Sequence, residues 1–324
     1  MKNFFIKPSL FIVAILLSIS SFAQTGDTIK FVVDGQIKYE SQDYKGAIED
    51  FTKAITLKPN YVDAYFNRAL AYKKLKTANN KTDQATILTY NKAALADLDK
   101  VIQLDAKYTK AYISRGEVKA GADDYKGALA DFSKAIELTP DNSIVYVNRA
   151  FVKTKLEDKP GALADYDKAI ELKPEEMQTY YSRANLKRKM NNNKGAIEDY
   201  TKVIEKKPTD ADSYNSRGMA KFDLGDKKGA IEDLSKVIEL KPDNFKAYNN
   251  RGLAKAGLTD HKGAIEDFTK AIELKADYHD AYLNRGISKN AVGDKNGACA
   301  DWNSAVKNGN KKAGTFIAQY CTGK

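Results

Sequence analysis

Apolar positions along this chain follow a helical period, and the pattern restarts every 34 residues. In residues 245–278, FKAYNNRGLAKAGLTDHKGAIEDFTKAIELKADY, a first helical face carries Tyr248, Gly252 and Lys255 at i, i+4 and i+7. Ala264, Phe268, Ala271 and Ile272 then lie at i, i+4, i+7 and i+8, one face of a second helix. Leu258–Lys262 carries the turn between them. Equivalent segments begin at Ala47, Ala94, Ala128, Ala162, Ala196, Ala230, Ala264 and Ala298, so the spacing is 47 once and 34 six times. The decapeptide GAIEDFTKAI therefore occurs twice, at 46–55 and 263–272, separated by six periods and a 13-residue insertion. Such self-similarity predicts helix pairs stacked in one dimension. Pro59, Pro140, Pro174, Pro208 and Pro242 mark where second helices stop, because proline cannot continue a helix interior.

Small residues occupy two fixed points. First helices carry Gly35, Ala69, Gly116, Ala150, Ala184, Gly218, Gly252 and Gly286, opposite the alanine column of the second helices. Antiparallel helices approach closely where side chains are small. Larger residues such as Phe132, Tyr166, Tyr200 and Phe268 are then expected to reach the next pair, since no pair can bury its apolar face alone.

An aromatic at position 4, Gly or Ala at 8, Ala at 20, an aromatic at 24, Ala at 27 and Pro at 32 of a 34-residue unit resemble the tetratricopeptide (TPR) repeat. Eight units follow: 28–61, 62–108 with the insertion, 109–142, 143–176, 177–210, 211–244, 245–278 and 279–312. The resemblance implies an all-α, right-handed α-solenoid of helix-turn-helix units, with residues 313–324 as a short C-terminal capping helix. Two columns depart from the family: position 11, often Tyr there, is Lys in seven units, and position 7, often Leu, is Arg in seven.

Those arginines are Arg68, Arg115, Arg149, Arg183, Arg217, Arg251 and Arg285; position 23 is Asp50, Asp97, Asp131, Asp165, Asp199, Asp233, Asp267 and Asp301. A guanidinium on its long stem can cover the half-turn between the two columns and fork onto the carboxylate. The expectation is one internal ion pair per unit, rather than a row of ligand-binding arginines. Unit 1 has Asp34 at position 7, which leaves open a pairing of each Arg with the Asp of the preceding unit.

The resemblance also implies a concave face lined by first helices, chiefly at positions 2, 5, 9, 12 and 13. Candidate groove residues are Phe66, Leu70, Lys73, Ile113, Val147, Phe151, Tyr181, Arg188, Met219, Phe222, Leu253, Leu283 and Ile287. An apolar stripe beside basic groups suits a peptide with some acidic character. Packing between neighbouring first helices is the alternative use of the same side chains. The insertion falls in 75–94, where Thr82 or Asp83 is a candidate cap for an early-starting helix with Ile87 and Leu88 on its apolar side. It reads as a surface extension or a partner contact.

The N-terminus reads as a cleaved export signal over 1–23: a basic start, the apolar run Leu10–Ile19 and small residues up to Ala23. A membrane anchor is the alternative, but the run is shorter than the roughly 20 residues that span a bilayer. Residues 24–27 read as a linker, and the mature protein as periplasmic or secreted. In that setting the two cysteines, Cys299 and Cys321, suggest a disulfide, with two buried thiols as the alternative.

Composition, 43% apolar and 30% charged, fits a packed fold. Loss of Lys2 and Lys7 takes the net charge from +10 to +8, but acids interleave with bases in every unit, which argues against nucleic-acid binding. No phosphate loop, nucleophile elbow or metal motif appears, and neither cofactor nor metal is expected. The expected function is a non-catalytic scaffold that binds a peptide or protein in its groove. A structural subunit of an envelope or secretion assembly, held by edges and convex surface, is the second reading. Self-association is compatible with either.

Overall fold

A computed structural model describes residues 26–78 and 83–321. The leader read over 1–23 and the candidate cap Thr82 lie outside the described residues. Among the described residues the chain is all-α, with 17 helices. It divides into two compact units, one up to Asp165 and one from Tyr166 on.

The first unit holds α1 (26–40), α2 (Tyr44–Leu57), α3 (Val62–Ala78), α4 (Gln84–Leu104), α5 (Thr109–Ala120), α6 (Tyr125–Leu138) and α7 (Ser143–Lys155). Helix α8 (Lys159–Leu172) spans the division. The second unit holds α9 (Met177–Lys189), α10 (Asn193–Lys206), α11 (Ala211–Leu224), α12 (Lys227–Leu240), α13 (Phe245–Ala256), α14 (His261–Leu274), α15 (His279–Ala291), α16 (Lys295–Lys307) and α17 (Ala313–Tyr320). Successive helices pack on one another from α2 to α7 and from α9 to α17, and Val32 of α1 packs with Ala47 and Phe51 of α2. Residues 26 and 27, read from the sequence as linker, are already helical in α1.

Local chemistry sets the boundaries. Helices α2, α6, α8, α10 and α12 each end two residues before a proline. Second helices begin at an Asp or Asn whose side-chain oxygen accepts from the N–H of a glycine three residues on, as Asp226 does from Gly229 at 2.9 Å. The same cap recurs at Asp43, Asp124, Asp158, Asn192, Asp260 and Asp294. A Cβ on Gly229 would run into the Asp226 carboxylate, so the cap and the glycine come as a pair.

The close approach of paired helices is visible at Gly116, where an added Cβ would sit 2.8 Å from the Phe132 ring. Phe132 is fully buried and also packs with Val145 and Val152 of α7. One ring thus fills the gap beneath a glycine of its own pair and seals the pair to its neighbour. Tyr200 plays the same part against Ala220, and Phe51 against Ala64 and Ala71.

The insertion lengthens a helix. Helix α4 has 21 residues where other second helices have 13 or 14, and Asp83 caps it by accepting from Thr86 N–H at 2.9 Å. Ile87 is half-buried, but Leu88 is exposed rather than packed on the helix's apolar side. Tyr90 instead reaches Tyr72, ring centroids 6.2 Å apart.

At the C-terminal end Cys299 of α16 is disulfide-bonded to Cys321, which follows α17. Phe316 and Tyr320 of α17 lie 5.3 and 5.7 Å from Trp302 by ring centroid. Trp302 would otherwise stand at the open end of the stack.

Candidate functional site

Two sets of repeated residues cover most of the polar chemistry: a buried ladder, and a set of clefts along the first helices.

The ladder is built once per helix pair. Arg217 Nε donates to Asp233 Oδ2 at 2.9 Å and its Nη2 to Oδ1 at 2.7 Å. Arg68–Asp97, Arg115–Asp131, Arg149–Asp165, Arg183–Asp199, Arg251–Asp267 and Arg285–Asp301 make the corresponding pairs, with Nη2–Oδ1 distances of 2.5–2.7 Å. Each Arg therefore engages the Asp of its own helix pair, not of the preceding one. Its remaining nitrogen, Nη1, does reach back: to Thr52, Asp99, Ser133, Asp167, Thr201, Ser235 and Thr269 respectively for Arg68, Arg115, Arg149, Arg183, Arg217, Arg251 and Arg285. The guanidinium also lies over the Tyr three residues before it, 5.5–5.7 Å from the ring.

Lysine at position 11 completes the ladder. Lys119, Lys153, Lys187, Lys221, Lys255 and Lys289 each approach the Oδ2 of the Asp that the Arg holds, at 2.8–3.0 Å. Seven of the eight carboxylates thus face two cations, since Asp50, whose helix pair has no Arg, takes Lys38 and Lys53 instead. All eight are 2–4% exposed. Asp97 is the exception in partners: position 11 is Tyr72 there, and Arg68 alone faces it. The pKa directions follow. Burial pushes the Asp97 carboxyl up, and the Arg68 hydrogen bonds do not outweigh it. Burial also pushes Asp50 up, but hydrogen bonds from Lys38 and Lys53 overcome it and hold that carboxyl below its ordinary range.

The sequence-derived groove residues divide. Phe66 is core, buried against Tyr108 with ring centroids 5.1 Å apart. Leu70, Ile113, Val147, Met219, Phe222, Leu253 and Leu283 are half-buried, and Phe151 and Ile287 are exposed. Lys73 is paired with Glu117 at 2.6 Å, and Arg188 with Asp223 at 3.6 Å. Arg188 Nε is buried with no hydrogen-bond partner.

Tyr181 stands in an open cleft. A cavity of 730 Å³ is lined by Met177, Gln178, Tyr181, Lys206, Lys207 and Asp212, among others. A second, of 200 Å³, shares Tyr181 and Asp212 and continues along Asn215, Ser216, Asn244 and Lys246. Tyr181 is held by an edge contact with Tyr200, 5.7 Å between centroids, and a 3.4 Å hydrogen bond with Ser216. Its neighbours' charges are unevenly engaged. Asp210 accepts from Ser213, and Asp212 pairs with Lys241 at 3.0 Å. Lys206, Lys207 and Lys246 have no carboxylate partner among the described residues. Gln178, Asp212 and Lys246 all stand at position 2 of their units, a column the sequence reading assigned to the concave face without naming its members. In the first unit Leu70 lines a separate 270 Å³ cavity with Gln36, Tyr39, Glu40, Phe51 and Asn67.

Comparison with known proteins defines the class. The TPR repeat model matches residues 35–76, and a model of the ETO1 C-terminal domain matches residues 177–313. The TPR protein from Parabacteroides merdae superposes with a TM-score of 0.57 at 17% identity, covering 81% of this chain and 99% of that one. YrrB, described as a TPR protein with an unusual peptide-binding site, gives 0.52 at 23% identity, covering 57% of this chain and 95% of that one. At these identities the likeness is one of fold. Among curated proteins, Hsp70-Hsp90 organizing protein 3 of Arabidopsis thaliana is 31% identical over 87 residues, which are 27% of this chain and 13% of that protein. The chain thus carries a match to the TPR repeat over residues 35–76 and shares with TPR-repeat structures the fold of an α-solenoid built from successive helix pairs.

Proposed function

We propose that the protein is a non-catalytic scaffold that holds a peptide or protein segment of acidic character in the cleft around Tyr181. The carrying observation is the pair of adjoining cavities that share Tyr181 and Asp212, rimmed by three lysines without carboxylate partners among the described residues. An aromatic anchor beside unneutralised cations suits a segment with an apolar side chain near a carboxylate. The ladder arginines and lysines are occupied internally, whereas Lys206, Lys207 and Lys246 at the cleft face no carboxylate among the described residues. We take the scaffold to be exported and periplasmic or secreted; N-terminal sequencing of the protein from its own cells should begin at Gln24.

Cross-linking with mass spectrometry in those cells tests the site. Wild type is compared with Tyr181→Ala/Arg188→Ala and with Lys206→Glu/Lys246→Glu. A partner cross-linked near Gln178, Tyr181 or Lys246 and lost in both variants supports the reading. Cross-links confined to 83–90 or to second helices away from Lys206, indifferent to the variants, refute it and favour an assembly subunit.

A further inference from the structure

The two ends of the helix stack are finished differently. At the C-terminal end α17 is bonded to α16 through Cys299–Cys321, lays Phe316 and Tyr320 over Trp302, and turns the exposed Lys311, Lys312, Thr315 and Gln319 to solvent. That is the polar outer face a terminal repeat requires. At the N-terminal end α1 does the opposite. Ile29, Val33 and Ile37 lie at i, i+4 and i+8 on one face and are 53%, 46% and 59% exposed. They rank among the most exposed large apolar side chains described, and they form a continuous stripe on α1, the first described helix.

The charges beside the stripe are also unusual. Where the next seven helix pairs carry an Arg that reaches back to the preceding helix, α1 carries Asp34. One turn earlier stands Lys30. Neither makes an ion pair among the described residues.

We propose that the exposed face of α1 is a two-fold interface with a second copy of this chain. Antiparallel pairing of α1 about Val33 sets Val33 on the partner's Val33 and Ile29 on the partner's Ile37. Lys30 and Asp34 lie on the same flank of the stripe, so the two-fold brings Lys30 beside the partner's Asp34, twice. The face is thus complementary to itself in both apolar pattern and charge. A head-to-tail contact is disfavoured, because α17 lays Phe316 and Tyr320 over Trp302 and the described residues there present no matching aliphatic stripe. The assembly is a closed dimer, not a filament. One helix per partner makes a small interface, so the dimer is expected to be weak and concentration-dependent.

Light scattering on the full chain across a concentration series tests this. The expected mass rises from one chain to two. Val33→Glu should hold the mass at one chain with circular dichroism and melting unchanged. Asp34→Lys should weaken the dimer by about tenfold, and Lys30→Asp/Asp34→Lys should bring it back to within about threefold of wild type. The charge exchange touches only exposed and half-exposed positions, so it reports even if Val33→Glu fails to fold. A monomer at every concentration overturns the proposal, as does a dimer indifferent to Val33→Glu or a double variant no better than Asp34→Lys. A monomer whose α1 amides are protected from exchange would mean that the chain's own first 25 residues cover the stripe, and this too overturns it.

Discussion

At the scale of single residues, Asp50 and Asp97 isolate what the second cation does. Both are buried carboxylates of one column, yet Asp97 is pushed up and Asp50 held down. The linkage signs are therefore opposite. Asp50 adds stability that is present above its unfolded pKa and lost as pH falls through its folded value. Asp97, whose folded pKa is raised, adds stability that is full below its unfolded pKa and lost as pH rises through the folded one. Carboxyl NMR titration should find Asp97 above the ordinary aspartate value of about 3.9 and Asp50 below it. Tyr72→Lys should supply the missing ammonium and bring Asp97 down; an unmoved titration would show that burial alone sets it. Removing the carboxylate where two cations face it is the harsher test. Asp233→Ala leaves Arg217 and Lys221 confronting each other, and should cost about 3–5 kcal/mol, read by denaturant unfolding. The Arg–Asp pairing was legible because two periodic columns half a turn apart limit the partners. The lysine was not. It appeared only as a departure from a family pattern, and nothing in a one-dimensional period says that position 11 stands over the same carboxylate as position 7. The Ser, Thr or Asp two residues after each ladder Asp except Asp301 was equally periodic, and that column was the available sign that each Arg also reaches the preceding helix pair.

At the scale of helices, two devices hold ends in place. The Asp-x-x-Gly box starts second helices, and Gly229→Ala should disturb it as much as Asp226→Ala does, because the new methyl group displaces the capping carboxylate. Each should cost about 1 kcal/mol, and Asp226→Ala/Gly229→Ala little more than either alone, since both remove one hydrogen bond. Additive losses would mean that the glycine has a separate role. The other device is the disulfide, which closes a segment with a sequence separation of 22. Cys299→Ser/Cys321→Ser should destabilise α16–α17 by about 3 kcal/mol in amide exchange. Helix boundaries were readable from proline and the alanine column, both consequences of local sterics. The groove was less readable. Positions 5 and 9 lie on the border between solvent and the neighbouring first helix, and the size of that neighbour decides the outcome. Phe66 finds Tyr108 and is buried, whereas Phe151 is exposed.

At the scale of the whole molecule, stability is carried by contacts between successive helices, so damage should stay near its origin. Asp97 and Asp233 belong to different compact units and share no partner. Asp97→Ala and Asp233→Ala should therefore add within about 0.5 kcal/mol. Amide exchange in the double variant should show two separate zones, one over α2–α5 and one over α10–α13, with α8 and α9 keeping their wild-type protection. The arginines make the test informative. Arg217 ties Asp233 of α12 to Thr201 of α10, so loss of Asp233 should loosen α10 as well as α12. A disturbance reaching one helix pair back, and stopping there, is what a ladder of short bridges predicts. Global loss of protection from either single variant would mean that the chain unfolds as one cooperative body, and the nearest-neighbour account would fail.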